Sequence, residues 1–284
     1  MYKETPLHPL KVDGRSFLVK RDDLIDPYLA GNKYRKLYTL LQTPSNRYHT
    51  IISYGGTQSN AMLALAAVAK QKGWRFLYYT KPLSKQQRQQ TFGNFATALS
   101  LGMEHKEIAH ELYKDYIATL RLDLDPQTVV VDQGGATPFA AEGLELLAQE
   151  IRQQLATYPK IKALATPSGT GTTALFLAKA LPEFTLYTAA GIGSREYLKE
   201  QMQALSPIPQ NLVLLENNYR FAKPNRDLYA IYKKLATAGI EFDLLYAPPL
   251  WLALLEQTEE PLLYVHSGGV SGNSTMLARY SAMR

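Results

Sequence analysis

The stretch Lys20-Arg21-Asp22-Asp23, running on to Gly31-Asn32-Lys33-Tyr34-Arg35-Lys36-Leu37, decides how this chain is read. Lys33 follows a Gly-Asn pair and opens a segment of good helix formers. Taken alone it is one of 31 Lys and Arg residues, and most such residues in any protein are solvated surface charges. Its meaning depends on what lies further along.

The second strong signal is Ala163-Leu164-Ala165-Thr166-Pro167-Ser168-Gly169-Thr170-Gly171-Thr172-Thr173. A strand ends, small residues follow and a helix begins. A helix N-terminus offers unpaired N–H groups and a positive dipole end, and glycines let the backbone approach an anion. Ser168, Thr170, Thr172 and Thr173 add hydroxyl donors, so a phosphate is the natural guest. No Gly-Lys-Ser/Thr ending is present, which excludes a Walker A loop. Gly169 to Ala174 does satisfy G-x-G-x-x-A, but the next strand ends in Ala-Ala-Gly where a ribose-binding acidic residue is expected. Arg195 nearby suits a 2′-phosphate, so an NADP-linked oxidoreductase stays open on these residues alone.

Working outward, apolar runs at 50–54, 76–79, 129–131, 162–166, 185–189, 212–215 and 262–265 read as strands. Helical patterns cover 61–70, closed by Gly73, then 138–155 and 173–181. In the helix 138–155, Leu144, Leu147, Ala148, Ile151 and Leu155 share one face, with Thr137 as cap and Pro138 at the first position. The alternation predicts an α/β fold with largely parallel sheets. Gln86 to Gln90 reads as an exposed turn.

The 284 residues suffice for one large or two smaller domains. With 46% hydrophobic and 20% charged residues the composition is that of a globular protein, and no run approaches the roughly 18 apolar residues of a membrane span. No cysteine is present, so disulfides and thiolate metal sites are excluded, and no metal site is expected. The start, Met1-Tyr2-Lys3-Glu4-Thr5-Pro6, lacks the apolar core of a secretory signal, and a cytoplasmic protein is expected. The net charge of +6 comes from scattered residues, which argues against a nucleic-acid partner.

Tyr54-Gly55-Gly56-Thr57-Gln58-Ser59-Asn60 joins a strand to a helix, and Ser and Asn there are good caps. Taken in order and spacing with the lysine segment and the glycine loop, it resembles the fold-type-II pyridoxal 5′-phosphate (PLP) enzymes, in the branch of 1-aminocyclopropane-1-carboxylate (ACC) deaminase and D-cysteine desulfhydrase. Thr5-Pro6-Leu7 and Tyr264-Val265-His266-Ser267-Gly268-Gly269 are similar to that family's first segment and to its His-Thr-Gly-Gly segment.

The resemblance implies a two-domain, tryptophan synthase β-like α/β fold with mostly parallel, open twisted sheets. A small domain at 37–135 would be inserted into a large PLP-binding domain made of 1–36 and 136–284, with the cofactor in the cleft between them. By the same resemblance Lys33 carries PLP as an imine, Asn60 bonds the ring hydroxyl, and Ser59 lies beside the substrate carboxylate. Ser168, Gly169, Thr170, Gly171, Thr172 and Thr173 hold the phosphate, and Ser267 stands near the pyridine nitrogen. Tyr246 would stack on the cofactor or shuttle a proton; the plain alternative is one of 19 tyrosines packing in a core. His266 reads as a buried, hydrogen-bonded strand-end histidine.

The substrate side departs from the pattern. Asp243-Leu244-Leu245-Tyr246-Ala247-Pro248-Pro249 keeps the tyrosine, but Ala247 replaces a Glu or Thr, and Pro248-Pro249 a Gly-Lys. ACC deaminases use that Glu at the pyridine nitrogen, so Ala247 with Ser267 argues against ACC. A second family tyrosine is best matched by Phe221, with Tyr219 two positions out of place. The implied activity is that of a PLP-dependent lyase or deaminase of a small amino acid, D-cysteine desulfhydrase-like, giving a keto acid and ammonia by β-elimination. ACC deaminase-like turnover and a catalytically altered PLP-binding protein are the alternatives. A homodimer is expected, with no nucleic-acid or membrane partner.

Overall fold

The computed structural model describes residues 2–29 and 31–282. Among these, the strands in chain order are β1 (Leu7–Val12), β2 (Arg15–Lys20), β3 (Thr50–Tyr54), β4 (Arg75–Thr80), β5 (Met103–Glu107), β6 (Thr128–Val130), β7 (Ala163–Ala165), β8 (Thr185–Ala189), β9 (Leu212–Leu215) and β10 (Leu262–Val265). They form a six-stranded sheet in the order β1-β2-β10-β7-β8-β9 and a four-stranded sheet in the order β5-β4-β3-β6. Every pairing is parallel except β1 with β2. The predicted two-domain α/β fold with mostly parallel sheets is what the chain adopts.

The antiparallel hairpin at the N-terminus is an addition to the predicted list. Asp13 and Gly14 turn it, both at positive φ (49° and 77°), as a two-residue turn matched to strand twist requires. Pro9 sits in β1, which is an edge strand, where a missing N–H costs no ladder bond. The glutamine-rich patch is a short helix, Lys85–Gln89, and not a bare turn: Ser84 and Gln87 cap it reciprocally. The helix predicted at 138–155 starts at Ala140, one turn past the expected cap, and Thr137 Oγ1 has no partner among the described residues.

Helices cover both faces of the large sheet. Ala140–Leu155 and Thr172–Ala180 pack on one side through the predicted Leu144, Leu147, Ala148, Ile151 and Leu155, all buried. Arg226–Thr237 and Ala247–Gln257 pack on the other, around Trp251, Tyr264 and Phe242. The helix Asn60–Lys72 fills one face of the small sheet. Parallel strands put their C-terminal ends on one rim of a sheet, where α/β proteins bind ligands. The segments after β2, β3, β7 and β10 leave from such ends, and they are the segments the sequence singled out.

Candidate active site

The lysine segment is built from behind. Lys20, Asp22, Arg35 and Glu150 are all buried and pair with one another. Arg35 reaches the Asp22 carboxylate with two nitrogens (3.0 and 2.8 Å) and Glu150 at 3.1 Å, and Lys20 pairs with Glu150. Buried charges persist only when paired and hydrogen-bonded, so the cluster fixes the one-turn helix Asn32–Lys36 in place. Thus Asp22 and Glu150 hold Arg35, with Lys20 on the same Glu150, while Lys33 and Lys36, three apart on that helix, line a cavity.

This cavity, about 240 Å³ in volume, lies where segments of both sheets meet. All eleven residues singled out by the sequence line it: Lys33, Ser59, Asn60, Ser168, Gly169, Thr170, Gly171, Thr172, Thr173, Tyr246 and Ser267. Asn32 links three of the segments. Its Oδ1 accepts from Lys33 Nζ (2.7 Å), its Nδ2 donates to Thr173 Oγ1 (3.2 Å), and its N–H donates to the Ser267 carbonyl (3.2 Å).

Burial lowers the Lys33 ammonium from 10.5 to about 8, partly opposed by the Asp243 carboxylate. The Lys36 amine, donating to the Gly134 carbonyl at 2.8 Å, is pushed well down by burial and by Lys33. Burial holds the Tyr246 hydroxyl up, with help from Asp243, so it stays protonated.

The glycine loop leads into the helix Thr172–Ala180, whose first N–H groups lack helical acceptors. Thr170 and Thr172 hydroxyls bond each other (2.9 Å), which leaves one proton to donate outward. Thr173 Oγ1 accepts from Asn32 and keeps its own proton. Ser168 Oγ is 2.7 Å from Thr188 Oγ1, whose proton goes to the Thr166 carbonyl. The Ser168 proton is therefore committed to Thr188, leaving that hydroxyl an acceptor.

Ser59 caps its helix, accepting from Met62 N–H at 3.2 Å, so the plain reading of that serine holds alongside its place in the cavity wall. Asn60 Oδ1 accepts from Asn94 (2.7 Å), which orients its amide. The Tyr246 ring packs 5.3 Å from that of Phe221, which also lines the cavity, and a Cβ on Gly169 would stand 3.2 Å from it. Tyr219 turns instead to Asp227, and Ala247 packs in the core beside the large sheet. His266 accepts from Gly268 N–H at Nδ1 (3.1 Å) and donates from Nε2 to the Glu241 carbonyl (2.8 Å), a structural arrangement as expected. The Arg195 head pairs with Glu216, away from any nucleotide role. Among the described residues no cluster of His, Asp or Glu is placed to hold a metal, and no helix is long and apolar enough to cross a membrane.

Sequence reasoning missed Asn32, Lys36, Gln58, Gln87, Gln133 and Gly134, all in the cavity wall. The spacing of Lys36 from Lys33 was a usable signal. Gln133 and Gly134 follow β6 in a loop with no chemical signature, and only the fold brings Gly134 to Thr170, where a Cβ would stand 3.0 Å from its methyl.

The family described as "Pyridoxal-phosphate dependent enzyme" matches residues 1–195. A putative 1-aminocyclopropane-1-carboxylate deaminase of Thermotoga maritima is 26% identical over 302 residues, covering 95% of each chain. A D-cysteine desulfhydrase of Yersinia enterocolitica is 28% identical over 291 residues, covering 90% of this chain and 87% of its own. A solved ACC deaminase homologue superposes with a TM-score of 0.79 at 23% identity, over 98% of this chain and 94% of that one.

Proposed function

We propose, for a chain that belongs to the pyridoxal-phosphate dependent enzymes, that it is a lyase or deaminase of a small amino acid, D-cysteine desulfhydrase-like, releasing a keto acid and ammonia. The observation that carries this reading is the meeting of Lys33, the Ser59-Asn60 pair, the loop 168–173 and Ser267 in one cavity.

The residues present fit PLP. A depressed lysine amine, a free amide N–H on Asn60, a helix mouth with spare hydroxyl protons and a neutral hydroxyl on Ser267 match an aldehyde, a ring hydroxyl, a phosphate and a pyridine nitrogen. Lys33 would hold the cofactor covalently; Gly169, Thr170, Gly171, Thr172 and Thr173 would hold its phosphate, while the Ser168 hydroxyl, its proton committed to Thr188, lines the loop's edge without donating to it. When bound, PLP supplies an electron sink at the substrate's alpha carbon.

The chain's own residues would do the rest. Lys33 Nζ, near neutrality in its titration, takes and returns the alpha proton. Ser59 Oγ binds the substrate carboxylate. Tyr246, held protonated, packs over the site and offers its Oη–H to the departing group. Ala247 lies in the core and Ser267 lines the cavity, which supports Ser267 as the hydroxyl toward the ring nitrogen and, with it, the desulfhydrase reading over ACC deaminase. Phe221 motivates the second reading, a PLP-binding protein with altered catalysis, because its ring lines the cavity with no hydroxyl to offer.

Holding PLP, the protein should show a visible absorption band that Lys33→Ala abolishes. It should release pyruvate, sulfide and ammonia from D-cysteine in a screen that includes ACC, D-serine and the L-enantiomers. A colourless protein defeats the reading; a band with no keto acid from any substrate selects the altered binder. We also propose a homodimer, checked by sedimentation. The domain limits 37–135 and 1–36 with 136–284 are supported by the strands of the four-stranded sheet all falling within the first range.

A further inference from the structure

A second basin of about 340 Å³ adjoins the cavity, and Gly56, Thr57, Gln87 and Gln133 line both. The partition is thin. Gln87 Nε2 donates to Thr57 Oγ1 across 3.2 Å while its Oε1 accepts from Ser84 N–H at 2.9 Å, so a single side-chain hydrogen bond closes the wall between Gln87 and Thr57. Thr57 lies two residues from Ser59, so a substrate held at Ser59 lies next to this shared wall.

Beyond the wall the basin is amphiphilic. Pro82, Leu83 and the Tyr113 ring supply apolar surface. Lys81 is the only charged residue among the described lining, exposed, with its Nζ 5.5 Å from the centre of the Tyr113 ring. It makes no ion pair among the described residues. The neighbouring Glu107 carboxylate is taken at 2.6 Å by both prongs of Arg88 and also accepts from Leu83 N–H. An uncompensated cation beside apolar surface, reached through the active-site wall, is complementary to an aliphatic stem with an anionic end.

Resting on the function proposed above, we infer that this basin receives the far end of the substrate side chain, and that Lys81 selects amino acids whose side chain ends in a carboxylate. In that reading PLP fills much of the first cavity, so a side chain longer than that of cysteine extends through the Gln87–Thr57 wall.

The test uses the PLP-loaded protein with cysteine, S-propylcysteine and S-(2-carboxyethyl)cysteine, each as both enantiomers, reading affinity by calorimetry and keto acid release separately. The carboxyethyl compound should bind about threefold to fivefold more tightly than the propyl compound, the range of an exposed ion pair. Lys81→Met should remove that preference and leave cysteine unaffected, while Lys81→Arg keeps it. Equal or unmeasurable affinity for the two long compounds, or a preference that survives Lys81→Met, overturns the inference. Tighter binding through Lys81 without keto acid from any compound leaves the basin standing and defeats the lyase reading instead.

Discussion

Asn32 donates to Thr173 at 3.2 Å, joining two residues 141 positions apart, and accepts from Lys33 Nζ with the other end of the same amide. One neutral side chain thus positions the lysine, while burial, opposed by the Asp243 carboxylate, sets its titration. Only the unprotonated amine attacks an aldehyde, so PLP uptake by stripped protein should rise about tenfold per pH unit and level off near 8, not near the ordinary 10.5. The sign for stability agrees. The folded lysine binds its proton less tightly than the unfolded one, so its burial penalty is full below about 8 and fades as pH climbs towards 10.5. Asn32→Asp places a carboxylate beside the amine and should move the break in the uptake profile up by about one unit or more. Stopped-flow absorbance across pH checks both; an unmoved break would mean that Lys33 does not limit uptake.

Gly31 touches Ser267 across the same junction. Its φ is +61°, and a Cβ there would stand 2.0 Å from the Ser267 carbonyl carbon and oxygen, both rigid backbone. Gly31→Ala combines an unfavourable backbone with a clash that only separation of the two segments relieves. It should cost at least about 2 kcal/mol and loosen PLP, because Lys33 and Ser267, which line one cavity, move apart. Denaturant unfolding and the PLP dissociation constant measure the two effects.

The lining residues were legible where chemistry and local backbone signals coincide: glycines with hydroxyls at a helix start, or a lysine behind Gly-Asn. The parallel strands were legible because buried strands read as apolar runs. What stayed hidden depends on contacts between distant segments. Gln87 looked like part of a polar patch, and nothing local says that its helix folds over Thr57. The hairpin was hidden by Pro9, which weakens a strand reading until its edge position is known. The pairing of Lys20, Asp22 and Arg35 with Glu150 was equally invisible, since Glu150 lies over a hundred residues away on a helix whose face reads as ordinary amphipathic packing.

That cluster makes a sharp prediction. Arg35 is fully buried and compensates two carboxylates, with Tyr2 beneath its guanidinium at 4.7 Å. Removing one member of a buried ionic group leaves its partners charged and unpaired, at a cost of about 3–5 kcal/mol. Arg35→Leu should therefore lower the unfolding midpoint sharply. Arg35→Lys should recover only part of the loss, since an ammonium cannot reproduce the two-pronged contact with Asp22. If Arg35→Leu unfolds like the parent, the cluster does not anchor the lysine helix.

Ser59 holds two positions at once, capping Asn60–Lys72 and lining the cavity, and a single substitution cannot separate them. Ser59→Ala should cost about 1 kcal/mol of stability through the lost cap. If the hydroxyl also binds the substrate carboxylate, keto acid release should fall about a hundredfold or more, far beyond any effect of the cap on folding. Ser59→Asn supplies the discriminating arm, because asparagine caps as well as serine does but brings no hydroxyl. Stability should return to the parent value in Ser59→Asn while turnover stays low, and Ser59→Thr should keep much of both. Recovery of turnover in step with stability would assign Ser59 to the helix alone and move the carboxylate contact elsewhere in the wall.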